Sequence, residues 1–195
     1  MYTTTRTINF GLPLGPAESY VRSSSIFTEV VQGRYLRPEA IGQKMDVERI
    51  TFQTFNGDPG VWLFDVLHGT AVIESPDTKY GVETKAYQML SLKWPGYLHF
   101  SVGFTETLQS YGRSSSGYYT RIEILKATAE LIHQFIQSAV DVGHDGEADW
   151  WTIGRDGVDI EHVRIMSLDW RHDDGIVLVP RLWIAGKAEP RGQNM

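Results

Sequence analysis

TRIEILKATAELIHQFIQSAVDV, residues 120–142, decides how the rest of the chain is read. Leu125, Ala129, Ile132, Ile136 and Ala139 recur in it at three- and four-residue spacing, and Ile124, Leu131, Phe135 and Val142 widen the stripe. Glu123, Lys126, Glu130, Gln134, Gln137 and Asp141 take the other side, which is the pattern of an amphipathic α-helix. Gly143 follows as its stop. A helix with so broad an apolar face must lie across a sheet or against a partner.

The chain on either side of this helix supplies strands. Upstream, residues 97–105 alternate most cleanly: Leu98, Phe100, Val102 and Phe104 share one face, and His99, Ser101 and Gly103 the other. They form an expected antiparallel pair with residues 83–92 about the turn Trp94-Pro95-Gly96. Residues 61–73 are apolar on both faces and read as a strand buried on both sides, bent at His68-Gly69. Ser75-Pro76-Asp77 then turns the chain. Further back, residues 5–10, 25–32 and 47–55 read as strands, the last stopped by Asn56-Gly57-Asp58-Pro59-Gly60. Residues 38–45 suit one short helix begun by Pro38. Residues 106–117 end in the flexible composition Gly112-Arg113-Ser114-Ser115-Ser116-Gly117.

Downstream, residues 149–153 form a short strand and Gly154-Arg155-Asp156-Gly157 a hairpin turn. Residues 158–170 and 176–184 are two strands joined by Arg171-His172-Asp173-Asp174-Gly175. The count is eight to ten strands, one long helix and one short one. Strands adjoin in hairpins instead of alternating with helices. The expected fold is therefore β-rich α+β: a mostly antiparallel sandwich or barrel with the helix of about residues 120–142 packed on it.

The 195 residues fit a single domain, with a polar, loose tail over residues 186–195. A chain of this size buries roughly 70% of the surface that it exposes when unfolded, so its core needs no staples. It has no cysteine, which removes disulfides, thiolate nucleophiles and cysteine-ligated metal sites. Residues 1–6 lack the apolar stretch of a secretory signal, and no run approaches the roughly 18–20 apolar residues of a membrane span. A cytoplasmic or virion location is expected. Formal net charge is −6, and the twelve Arg and six Lys are scattered singly. Tight nucleic-acid binding, which wants a basic patch or stripe, is not expected.

The phosphate-loop, dinucleotide, nucleophile-elbow and zinc-helix motifs are all absent. Ser23-Ser24-Ser25 and Ser114-Ser115-Ser116 read as solvated loop. The six histidines are His68, His99, His133, His144, His162 and His172. No two of them stand at ligand spacing on one element, so no metal and no cofactor is expected. His144-Asp145 and His172-Asp173-Asp174 sit in turns, where Asp is favoured for backbone reasons.

Asp65, within an apolar run and close to His68, is the one pair placed to act as a buried, shifted acid/base couple. The plainer alternative is a strand-edge aspartate or a satisfied core hydrogen bond. Trp150-Trp151 and Tyr118-Tyr119 suggest stacking surfaces. Neighbouring strand residues face opposite sides, so only one Trp can line a pocket, and core or interface is the commoner fate.

Two functions of different class fit these features. The first is a structural protein that self-associates into a ring, tube or shell, as virion and tail-tube components do. Its aromatic residues would serve interfaces, and its acidity would keep DNA from adhering. The likeness to tube proteins is one of architecture and charge, with no motif matched. The second is a small-molecule binder or simple acid/base enzyme on a β-barrel closed by the helix. There Asp65, His68 and His99 would be the polar groups, Trp62 and Trp151 the walls, and a small apolar compound the ligand. A dedicated inhibitor or immunity protein is a third role that the composition allows.

Overall fold

A long antiparallel hairpin carries the sheet. Its strands are β8 (Val163–His172) and β9 (Ile176–Ala185), ten residues each. In the computed structural model, residues 27–30, 48–81, 88–97, 105–107, 118–142, 152–154, 157–172 and 176–186 are described. β8 largely alternates apolar and polar residues, whereas β9 is apolar at every position but Arg181, and Val163, Ile165, Leu168, Leu178, Leu182 and Ile184 are buried on one side.

Four strands dock along the two outer edges of this hairpin. Along β8 lie β2 (Glu48–Thr51) and β3 (Val61–Trp62), both antiparallel. Along β9 lie β1 (Phe27–Val30), antiparallel, and β5 (Gln88–Ser91), parallel. Beyond β5, β6 (Thr105–Thr107) completes a seven-stranded sheet. A separate two-stranded ribbon pairs β4 (Lys79–Gly81) with β7 (Tyr118–Thr120). The fold is thus mixed α+β, strand-rich and mostly antiparallel. The described strands do not close into a barrel.

The register of β8 slips by one residue between Ile165 and Ser167. Such a bulge places Met166 opposite no residue of β9, and the Met166 carbonyl accepts the Phe52 N–H at 3.0 Å.

The long helix, α2 (Arg121–Ala139), forms where the sequence places it. Ile124, Leu125, Leu131, Ile132, Phe135, Ile136 and Ala139 are buried, whereas Lys126, Glu130, Gln134 and Gln137 are exposed. Its start is a capping box. The Thr120 hydroxyl accepts from the Glu123 N–H at 3.4 Å, and the Glu123 carboxylate accepts from the Thr120 N–H at 2.7 Å. Those hydrogen bonds from Thr120, backbone first and hydroxyl second, hold the Glu123 carboxyl below the usual carboxylate range. Thr128, buried in mid-helix, donates its hydroxyl to the Ile124 carbonyl at 2.8 Å, so the apolar face carries no unmet polar group there. The helix closes at Val140, before the expected Gly143, which lies outside the described residues.

Between helix and sheet sits one hydrophobic cluster. Trp94 and Tyr97 reach it from a tight turn in which the Tyr97 N–H donates to the Trp94 carbonyl at 3.1 Å. Pro95 and Gly96 are its central residues. The φ of +78° at Gly96 suits the type II geometry that a Pro-Gly pair favours. The Trp94 and Tyr97 rings lie 5.9 and 6.2 Å from that of Phe135 on α2, tilted and edge-on respectively. The Tyr97 hydroxyl also accepts the buried Ile153 N–H at 3.1 Å.

Three expectations are corrected. Residues 61–73 are not one buried strand: β3 gives way at once to a short helix, α1 (Leu63–Leu67), which packs on α2. Leu63 and Val66 are buried three residues apart, and a short apolar run reads alike as a strand or a buried helical turn. The pair about Trp94-Pro95-Gly96 joins residues 88–91 to 105–107, with Ser91 opposite Thr105, a register centred beyond that turn, and residues 98–104 lie outside the described residues. The strand expected over 158–170 begins only at Val163, after a 3-10 turn at Ile160–His162. The expectations for residues 5–10, 38–45 and the tail lie outside the described residues.

Candidate interaction surface

The helical form of residues 63–67 relocates the two acid/base candidates. Asp65 is half-buried, and its carbonyl accepts the N–H groups of Thr70 and Ala71 at 2.9 and 3.1 Å. Its carboxylate is 3.4 Å from the Thr70 hydroxyl. His68 is exposed at the C-cap of α1, where its Nδ1 lies 2.8 Å from the Phe64 carbonyl and its ring stacks on that of Phe64 at 4.0 Å. That short bond makes Nδ1 the protonated nitrogen. The buried carboxylate–imidazole couple expected of these residues is therefore not formed. His99 and Trp151 lie outside the described residues. Trp62 is half-buried on β3, and the Arg164 guanidinium lies 5.3 Å from its ring centre. Among the described residues no group of three His, Asp or Glu side chains could hold a metal ion, and no helix is long and apolar enough to cross a membrane.

A surface that the sequence reading missed is more prominent. Beyond β2 the chain continues to alternate: Ile50 and Phe52 are buried, whereas Arg49, Thr51, Gln53 and Phe55 take the other side. Thr54 bridges to buried Ile73, and the Phe55 N–H donates to the Val72 carbonyl at 3.0 Å. Phe55 and Val72 are therefore cross-strand neighbours. They are 75% and 66% exposed, among the most exposed large apolar side chains described. The signal was present in the sequence: Phe55 is apolar on a face that otherwise carries Arg49, Thr51 and Gln53.

Along the segment that carries this pair the charge has one sign. Residues 50–78 contain Asp58, Asp65, Glu74 and Asp77, and no Lys or Arg. Glu74 follows Val72 by two residues, and its N–H donates to the Gln53 carbonyl at 3.0 Å, which puts it beside the pair. Arg121 touches this segment through a 2.9 Å bond to the Glu74 carbonyl, but its guanidinium also holds the Tyr80 hydroxyl.

The outer face of the sheet differs in character. Register places Trp62, Arg164, Trp183 and Glu29 in one row across β3, β8, β9 and β1. A second row carries Arg49 opposite Asp169. Arg49 donates from Nε to Asp169 at 2.6 Å, and Arg181 donates to Glu29. The bond to Asp169 raises the pKa of Arg49 against the opposing effect of burial. Arg49 and Arg181 are thus each paired with one carboxylate.

No protein-family model, curated protein or solved structure matches this chain.

Proposed function

We propose that the chain is a structural protein that self-associates into a ring, tube or shell, in the manner of a virion or tail-tube component. The observation that carries this reading is the exposed Phe55–Val72 pair. Covering two such side chains is worth roughly 3–5 kcal/mol. Association costs at least about 4 kcal/mol in lost freedom, so the pair serves as the anchor of a wider contact. A stable contact buries about 800 Å² on each partner.

The sheet–helix interior supports the same reading over a small-molecule site. Trp94, Tyr97 and Phe135 occupy the layer in which a barrel-type binder would hold its ligand. In this proposal the second layer of the expected sandwich is supplied between copies.

The test is the solution mass by light scattering across a concentration series, for the wild type and for Phe55→Asp. Oligomers that dissociate in the variant, with an unchanged thermal midpoint, are the expected result. A 22.1 kDa monomer at every concentration would refute the proposal.

A further inference from the structure

We propose that Asn56, at the tip of the hairpin that presents Phe55, is a site of spontaneous deamidation which the fold restrains, and that its conversion to aspartate or isoaspartate disables the Phe55–Val72 patch. The modification needs no partner; its effect on the patch rests on the self-association proposed above.

The chemistry is set by the pair Asn56-Gly57. The Gly57 backbone nitrogen attacks the side-chain amide carbon of Asn56. A C–N bond forms there as the bond to the side-chain nitrogen breaks, and ammonia departs with the proton that the Gly57 nitrogen gives up. Water then opens the five-membered imide on either side, leaving aspartate or isoaspartate. Glycine obstructs this attack least, because it has no side chain beside the nitrogen. Asn9 and Asn194, the only other asparagines, precede Phe10 and Met195. Asn56 and Gly57 are both exposed, and nothing lies within 4 Å of where a Gly57 Cβ would stand, so that side of Gly57 is open. Against this, the turn holds the nucleophile. The Gly57 N–H donates to the Thr54 carbonyl at 2.9 Å, and the Thr54 N–H donates to the Asp58 carbonyl at 2.9 Å. The Asp58 N–H donates to the Thr54 hydroxyl at 3.1 Å. With Gly57 at φ +85°, this is a three-residue hairpin loop of defined geometry. The nitrogen reacts only when its bond to Thr54 opens, a local event that costs far less than global unfolding. Opening one such bond slows the reaction about two- to tenfold relative to an unfolded chain.

The place of the reaction gives it a consequence. Asn56 adjoins Phe55, the most prominent side chain of the patch. Conversion puts a new carboxylate beside that ring, and isoaspartate also adds one carbon atom to the backbone inside the loop that the Thr54–Gly57 bond closes. A carboxylate carried into the contact without a partner weakens association at least about fivefold.

Two measurements on the full chain test this. In the first, the wild type is aged in mildly alkaline buffer, folded and in urea, and its peptides are read by mass spectrometry with isoaspartate resolved by chromatography. In the folded chain Asn56 should convert before Asn9 and Asn194, about two- to tenfold more slowly than in urea. A folded chain that keeps Asn56 intact while the urea sample converts, or that converts as fast as the urea sample, overturns the inference. The second compares the association of Asn56→Asp, which carries the product's charge, with Asn56→Gln, which keeps an amide, each checked for fold by circular dichroism. Asn56→Asp should associate at least about fivefold more weakly than the wild type, and Asn56→Gln as the wild type does. An Asn56→Asp chain that associates like the wild type, or an Asn56→Gln chain weakened equally, overturns the effect on the patch and leaves self-association standing. A wild type that is monomeric throughout removes self-association itself and leaves the modification to the first measurement.

Discussion

Replacing Tyr97 by Phe removes one oxygen atom from the middle of the molecule, and the cost follows from where that atom sits. The Tyr97 hydroxyl accepts the Ile153 N–H at 3.1 Å, and both residues are buried, at 2% and 5% exposure. The ring itself remains, so the edge-on contact with Phe135 and the packing on Trp94 are retained. No cavity of side-chain size opens, which sets the transfer and cavity terms of a core truncation aside. What is left is a buried backbone N–H without its acceptor, a loss of about 1–3 kcal/mol. With a urea dependence of about 2 kcal/mol per M, the unfolding midpoint should fall by roughly 0.5–1.5 M at an unchanged slope. Amide hydrogen exchange gives a local readout, since the Ile153 N–H should lose more protection than the amides of α2. A midpoint shift under about 0.2 M, with Ile153 as protected as before, would show that this hydroxyl is not the acceptor.

Two further outcomes are expected. A Cβ on Gly157 would stand 2.0 Å from the Thr152 carbonyl oxygen, a backbone atom that cannot rotate away. Gly157→Ala should therefore cost about 3 kcal/mol by denaturant melt, and a loss under about 1 kcal/mol would contradict the close approach. Glu123→Ala should cost about 0.5–1 kcal/mol at neutral pH by removing half of the capping box. The native carboxyl of Glu123 is lowered by its bonds to Thr120, so its stabilisation is complete above the ordinary glutamate value near pH ~4.3 and is lost as pH falls through the lower native value. The gap between wild type and variant should close over that acid range, and a gap that persists below it would refute the linkage.

How much of this could be read beforehand depended on the range of the interaction concerned. The α2 stripe repeats over five turns, and Thr120 with Glu123 marks its start, so its place and buried face were legible to within a few residues. The β8–β9 hairpin was legible because both strands are long, β8 alternating and β9 nearly all apolar, and the intervening segment has turn chemistry. Residues 63–67 were not, because four apolar residues about one aspartate cannot declare a period of two against one of three and a half. The parallel pairing of β5 with β9 joins residues nearly ninety positions apart and has no local signature. At the surface the sequence directed attention to Asp65 and His68, which α1 places apart from any buried couple. Phe55 carried a visible sign, an apolar residue on a polar face, but its neighbour Val72 is brought to it only by the bridge between Thr54 and Ile73.

The hairpin at the centre of the sheet also sets when folding can happen in a cell. β1, β2, β3 and β5 all take their main partner from β8 or β9, which the ribosome makes after every one of them. At about 5–20 residues per second, β1 waits many seconds for its partner in β9. During that wait these early strands lack their neighbours in β8 and β9, while α2, the β5–β6 pair and the small β4–β7 ribbon have partners closer by in the chain. The sheet therefore forms only once β9 has been made and, with its distant pairings, slowly for its size. Translation stalled before residue 163 leaves a product that holds both members of the β4–β7 and β5–β6 pairs but lacks the hairpin on which the seven-stranded sheet is built.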